Sequence, residues 1–243
     1  MTPLVFLHGW GQSARVWYGQ REAFPEALFL NLPGHGGAPE SGDWCATLAA
    51  QLPEEACILV GWSLGGMLAI KLARQYPERI AGLVLVSTSP RFRNSNDWPH
   101  GCSDEVFGGF VEGVATQSAK TLGRFFTLML HGEAIERRDF NELARLSIDR
   151  EQPPTPEGLR HGLQMLAELD LRGVLPEVRQ PALVLHGEAD AIIPVAAGRY
   201  LSEQLPAADW HSFPGCGHAP FLTRTVTFNA RLEEWCQTIS IAA

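Results

Sequence analysis

The sequence predicts an α/β fold: a mainly parallel, doubly wound sheet with helices on both faces and a helical lid insertion. Three observations carry this. Continuous apolar runs at 4–7, 56–60, 80–87 and 182–186 read as strands buried on both faces, as in a parallel sheet. These runs alternate with helix-like stretches, the pattern of covered parallel sheets. The alternation stops near residue 91, only helical periodicity follows as far as residue 171, and then it resumes.

Taken in order, Leu4 to Leu7 is a short apolar strand that runs into His8-Gly9-Trp10-Gly11. Ala27 to Leu32 is a second, ending in Pro33-Gly34-His35-Gly36-Gly37. Both are strand-then-glycine-loop units. A helix is expected over roughly 43–52, then the strand at 57–61, a helix rich in alanine and leucine over 67–74, and the strand at 80–87. Leu122, Phe125, Phe126, Met129 and Leu130 give one helical stripe in the insertion, and Leu143, Leu146 and Ile148 another. A strand at 182–186, a helix near 195–205, a strand around 209–213 and an amphipathic helix over 226–238 complete the chain. The expected organisation is therefore a core from 1–90, a lid from 91–171 and a second core segment from 172–243. Only three residues precede the first strand, so an antiparallel edge hairpin ahead of it is expected to be missing or much shortened.

At 243 residues, 45% apolar and 19% charged, the chain has ample length for a buried core. A net charge of −8 argues against a nucleic-acid binder, which needs clustered Lys and Arg. No basic segment followed by a long apolar stretch opens the chain, and no run of about 18 apolar residues occurs, so a cytoplasmic protein with no membrane partner is expected. Its five cysteines are scattered without metal-like spacing and read as reduced thiols. No metal, no cofactor and a monomer are the expectations.

Residues 61–66 read Gly-Trp-Ser-Leu-Gly-Gly between a strand and a helix. Small residues there let the chain turn sharply and hold Ser63 in a strained conformation with its hydroxyl exposed at the sheet edge. A serine hydroxyl is a poor nucleophile at neutral pH, so a general base and a group to orient that base are required. Among eight histidines, His218 is best placed, in a glycine-rich loop between the last strand and the last helix. His211 lies in a strand, while His100, His131 and His161 lie in the insertion and read as ordinary polar residues. Asp190, just past the strand at 182–186, is the carboxylate candidate, with Glu188 its nearest rival. The order Ser, Asp, His suits three loops at one sheet edge, where open α/β sheets place their ligands. Backbone N–H groups of Leu64, at a helix N-terminus, and of Trp10, in the facing loop, are the oxyanion-hole candidates. For His8, shaping that loop is the expected role.

These motifs resemble the α/β-hydrolase superfamily. More narrowly they resemble the pimeloyl-[acyl-carrier protein] methyl ester esterases of biotin synthesis (the BioH family). The narrower likeness rests on Leu7-His8-Gly9-Trp10-Gly11 with Trp17, Asn31-Leu32-Pro33-Gly34-His35-Gly36, Gly61-Trp62-Ser63-Leu64-Gly65-Gly66, Pro77-Glu78-Arg79-Ile80, Ser89-Pro90 with Asp97-Trp98-Pro99, and Gly217-His218-Ala219-Pro220-Phe221. It implies a Ser63, Asp190 and His218 triad, an oxyanion site around Trp10 and Leu64, and acyl-chain contacts from Phe125, Phe126, Thr127, Leu128 and Met129 of the lid. The substrate implied is a methyl ester at the far end of a pimeloyl chain on an acyl carrier protein.

A carrier protein is acidic, so its docking needs a basic surface at the tunnel mouth, and Lys120, Arg124, Arg137, Arg138 and Arg145 are candidates for it. Against this, the spacings Glu133/Arg137 and Arg138/Glu142 equally suit ordinary i,i+4 helix pairs. Two other functions use the same features: a broad short-acyl esterase or thioesterase, and a ligand-binding receptor that keeps the fold and barely turns over.

Overall fold

The computed structural model describes residues 2–242. Six parallel strands form one sheet in the order β2-β1-β3-β4-β5-β6. These are β1 (Leu4–Leu7), β2 (Leu28–Leu30), β3 (Cys57–Trp62), β4 (Ile80–Val86), β5 (Ala182–Gly187) and β6 (Ala208–Phe213). Every residue of β1, β3 and β5 is buried, so their side chains pack on both faces and the apolar runs are continuous rather than alternating.

The covering helices are α1 (Tyr18–Ala23), α2 (Trp44–Ala49) and α3 (Leu64–Gln75). They are followed by α4 (Asp104–Met129), α5 (Arg137–Ser147) and α6 (Pro156–Glu168), then α7 (Val195–Gln204), α8 (Pro220–Thr223) and α9 (Thr225–Ala242). Local chemistry sets several starts. Asp43 caps α2 by accepting the Ala46 N–H at 3.0 Å, and Thr155 caps α6 by accepting the Gly158 N–H at 3.0 Å, ahead of Pro156 in the first turn. Helix α4 is broken at Gln117 (φ −149°, ψ 59°) into two arms.

Helices α4 to α6 lie between β4 and β5, and their two connections to the sheet are tied together at a neck. Arg91 pairs with Asp170 at 2.8 Å, Arg172 pairs with Asp170 at 2.6 Å and with Asp97 at 2.9 Å, and the Arg172 guanidinium lies 5.6 Å from the Trp98 ring. The five cysteines are buried and none forms a disulfide. Burial pushes their thiols up, to about 11 for Cys57 and Cys102 and about 12 for Cys216 and Cys236. Among the described residues no helix is long and apolar enough to cross a membrane.

Candidate active site

Strand β3 delivers Ser63 at the carboxyl edge of the sheet. Ser63 has φ 54° and ψ −120°, a conformation a non-glycine residue rarely adopts and which costs about 1–3 kcal/mol. The surroundings hold it there: its N–H donates to Val86 O at 3.0 Å, and its carbonyl accepts from the Thr88 hydroxyl at 2.7 Å. Flanking glycines are required by close approach, since a side chain at Gly61 would run into the backbone of Gly65, and one at Gly65 into the Leu7 and His8 carbonyls. The Ser63 side chain makes no helix-capping bond to α3. Its hydroxyl is thus left available.

The loop after β5 presents Asp190, whose side chain is fully buried. One oxygen accepts the Ile192 and Ile193 N–H groups at 2.8 and 2.9 Å. The other lies 2.7 Å from His218 Nδ1 and 3.3 Å from His186 Nε2. Burial opposes the carboxylate, but the facing His218 and His186 rings outweigh it and hold Asp190 well below the usual carboxylate range. An anion on Oδ2 requires the proton on His218 Nδ1, which leaves Nε2 as an acceptor. That Nε2 is buried and has no hydrogen-bond partner among the described residues. The Trp62 indole fixes the His218 backbone, donating to its carbonyl at 2.9 Å. Glu188 turns aside to the Ser212 hydroxyl at 2.8 Å.

Facing Ser63, the loop after β1 is braced by two neutral histidines. His8 Nε2 accepts the Leu32 N–H at 3.0 Å and His35 Nε2 accepts the Gly11 N–H at 3.3 Å, while their Nδ1 atoms donate to Gly9 O and Pro33 O. Burial lowers His8 to about 3, with His35 adding to the effect, and lowers His35 to about 4. Trp10 and Leu64 have no backbone hydrogen bond from their N–H groups to any described residue. The Trp10 indole is committed elsewhere, donating to Leu159 O of α6 at 2.9 Å.

The chain matches the alpha/beta hydrolase fold family over residues 2–225. A pimeloyl-[acyl-carrier protein] methyl ester esterase of Aromatoleum aromaticum is 41% identical over 232 residues, spanning 90% of this chain and 92% of its own. One of Nitrosomonas europaea is 42% identical over 228 residues, 90% of each chain. This chain belongs to the α/β hydrolases, in the family of the pimeloyl-[acyl-carrier protein] methyl ester esterases. Among solved structures, an esterase from Exiguobacterium antarcticum matches this hydrolase with a TM-score of 0.87 at 20% identity, over 98% of this chain and 92% of its own, which speaks for the fold alone. The esterase RhEst1 from a Rhodococcus species matches at TM-score 0.76 and 26% identity, over 98% of this chain and 91% of its own.

In this hydrolase a narrow cavity opens on Ser63, walled by Trp10, Phe110 and Phe125 with Leu163 and Leu166 of α6. The Trp10 and Phe125 rings meet edge to face at 5.2 Å, and Phe110 and Phe125 at 5.7 Å. Of the five consecutive lid residues expected at the acyl chain, only Phe125 reaches this cavity. Phe126 packs on Phe140 at 5.7 Å, Thr127 is exposed, and Leu128 lines a neighbouring cleft with Val106 and Pro194. Met129 instead lends its carbonyl to the His218 N–H at 2.8 Å. Successive helical residues point about 100° apart, so five in a row cannot share one wall. Phe92, Phe110, Leu163, Leu166 and Ile192 also line the cavity and were not singled out from sequence; the i,i+3 spacing of Leu163 and Leu166 was the available signal. A larger cleft of about 570 Å³ runs beside Gly11–Ser13 toward Ser118 and Arg150. Another apolar groove, lined by Pro3, Phe24 and Cys236 near the start of β1, contains none of these groups. No cluster of His, Cys, Asp or Glu among the described residues is arranged to hold a metal ion.

Lys120, Arg124, Arg137, Arg138 and Arg145 are all exposed on α4 and α5, and no ion pair within 4.0 Å engages them among the described residues. The expected i,i+4 partner of Arg137, Glu133, pairs instead with Arg224 at 3.4 Å.

Proposed function

We propose that this hydrolase is a serine carboxylesterase that cleaves the methyl ester of pimeloyl-[acyl-carrier protein], freeing the ω-carboxylate in biotin synthesis. The observation that carries the chemistry is the strained Ser63 at the carboxyl edge of the sheet together with a His218 whose Nδ1 is bonded to a buried Asp190 anion and whose Nε2 has no hydrogen-bond partner among the described residues. The family relatives named for this substrate carry its identity.

The geometry supports the following sequence. Ser63 Oγ attacks the ester carbonyl while His218 Nε2 takes its proton, and Asp190 stabilises the imidazolium that forms. The carbonyl electron pair moves onto oxygen, where the N–H groups of Trp10 and Leu64, both unspent, offer two donors. Collapse expels methoxide, which takes the proton from Nε2 and leaves as methanol. Water then attacks the acyl-serine with His218 again as base, and the free acid departs as Ser63 recovers its proton. Phe125, Phe110 and Trp10 supply an apolar wall for the acyl chain. Lys120 and Arg124, one helical turn apart, head the basic surface offered to the carrier, a reading favoured by the lack of ion pairs at all five basic side chains.

The test is growth without biotin of an esterase-deficient host expressing this chain, alongside hydrolysis of a p-nitrophenyl ester by wild type and Ser63→Ala. Rescue by wild type alone supports the proposal. Ester hydrolysis without rescue makes this a short-acyl esterase or thioesterase. Equal rates from wild type and Ser63→Ala remove Ser63 from the mechanism, and no turnover of any ester by well-folded wild type leaves a ligand-binding receptor.

A further inference from the structure

Glu133, in the turn between α4 and α5, carries a carboxylate whose side chain is 1% exposed although it belongs to the helical insertion. It reaches out of the insertion to the loop that bears His218. One oxygen accepts the Gly217 N–H at 2.8 Å, and the other lies 3.4 Å from Arg224, which follows α8. Four residues earlier, the Met129 carbonyl accepts the His218 N–H at 2.8 Å. Two successive amides of the loop, those of Gly217 and His218, are therefore held by the last turn of α4 and the turn after it. Gly217 has no room to shift: a side chain there would meet the Met129 carbonyl at 2.5 Å and Glu133 at 3.1 Å, and a side chain on Gly187, at the end of β5, would strike the Gly217 carbonyl. The loop is gripped between insertion and sheet.

We propose that Glu133 is a positioning residue for His218, which clamps the loop from the insertion and so makes the alignment of the imidazole depend on the seated position of α4. The carboxylate touches neither Ser63 nor the site of the reacting ester. It acts through the Gly217 amide, which precedes His218 directly. A charge-assisted hydrogen bond in a buried setting is among the stronger ones a backbone amide makes. Its loss frees the loop on one side, while the Trp62 bond to the His218 carbonyl and the Asp190 bond to Nδ1 remain. A misplacement of about 1 Å at a catalytic group costs as much as 100-fold in rate. When the insertion lifts, the same two bonds must break, so an open enzyme carries a loosened histidine and a seated one an aligned histidine.

This inference rests on the triad reading, and its experiment separates the two. Steady-state hydrolysis of p-nitrophenyl acetate is measured for wild type, Glu133→Ala, Glu133→Gln, Gly217→Ala, Ser63→Ala and His218→Ala, with thermal melts for each. Glu133→Ala is expected to lower kcat by roughly 10- to 100-fold with KM changed less than about 2-fold. Glu133→Gln keeps an oxygen to accept the Gly217 N–H and is expected to restore most of kcat. Gly217→Ala, whose new methyl displaces the Met129 carbonyl, is expected to match Glu133→Ala. In proton NMR, the downfield signal of the His218 Nδ1 proton shared with Asp190 is expected to broaden in Glu133→Ala and return in Glu133→Gln. Wild-type kcat in Glu133→Ala, or a loss that Glu133→Gln fails to rescue, overturns the clamp. If Glu133→Ala does not fold, Gly217→Ala and the NMR signal of Glu133→Gln decide in the same directions. Activity persisting in Ser63→Ala or His218→Ala would instead sink the triad reading itself.

Discussion

At the scale of single residues, the proposed mechanism depends on three side chains acting as a unit. Ser63→Ala or His218→Ala is expected to lower kcat by several orders of magnitude, and Asp190→Asn by about 10⁴-fold, because an amide no longer enforces the proton on Nδ1. Thermal melts close to wild type alongside the kinetics would establish that chemistry is what was lost; a kcat within 10-fold of wild type in any of the three would contradict the mechanism. Ser63, Asp190 and His218 were legible as candidates in the sequence because each sits in a short motif just past a strand; the structure bonds His218 to Asp190 and leaves His218 Nε2 without a partner among the described residues. Glu133 and His186 were not legible. Glu133 meets Gly217 across 84 positions, and no local pattern distinguishes it from a solvated helix-end glutamate. His186 reads as an ordinary strand residue until Asp190 is found 3.3 Å from its ring.

At the scale of elements, continuous apolarity placed β1, β3, β4 and β5 within a residue, because a strand buried on both faces leaves little ambiguity, while more mixed runs placed the partly exposed β2 and β6, β2 ending two residues before its expected end. Helix α1 escaped, being six residues with only Gln20 buried and hence no apolar stripe. The break at Gln117 escaped as well, since neither proline nor glycine marks it. The basic residues of α4 and α5 give the sharpest prediction here. Reversing charge at both Lys120 and Arg124 is expected to raise KM for carrier-linked substrate at least about 10-fold at low salt and to leave p-nitrophenyl acetate hydrolysis unchanged, with the difference shrinking as salt screens the surface. Equal losses on both substrates would remove the docking role. At the neck, Arg172 joins Asp170, Asp97 and Trp98, so Arg172→Ala is expected to lower the melting temperature by roughly 2–4 °C and to quicken proteolysis within 91–171. A melt and digestion pattern identical to wild type would show that the neck is not held this way.

At the scale of the whole molecule, stability should fall in mild acid. Unfolded imidazoles take up protons below about pH 6.5, whereas folded His8 and His35 stay neutral until about 3 and about 4. The unfolded chain therefore binds more protons across that window, and stability rises with pH there, by at most about 1.4 kcal/mol per pH unit for each ring. Below about pH 4, Asp170 and Asp190 act in the same direction, because their partners hold both carboxyls below the ordinary value, Asp170 at about 2. Urea midpoints at pH 7 and pH 5 test this, and a midpoint unchanged between them would mean the rings are not buried neutral. The packing that sealed those histidines also sealed the cysteines, and this reaches into how the enzyme will behave in practice. With each cysteine side chain buried and its thiol pushed toward the protonated, unreactive form, iodoacetamide should leave turnover untouched over hours. A fluorophosphonate probe should meanwhile mark a single hydroxyl, so catalyst could be counted in crude lysate without reducing agents.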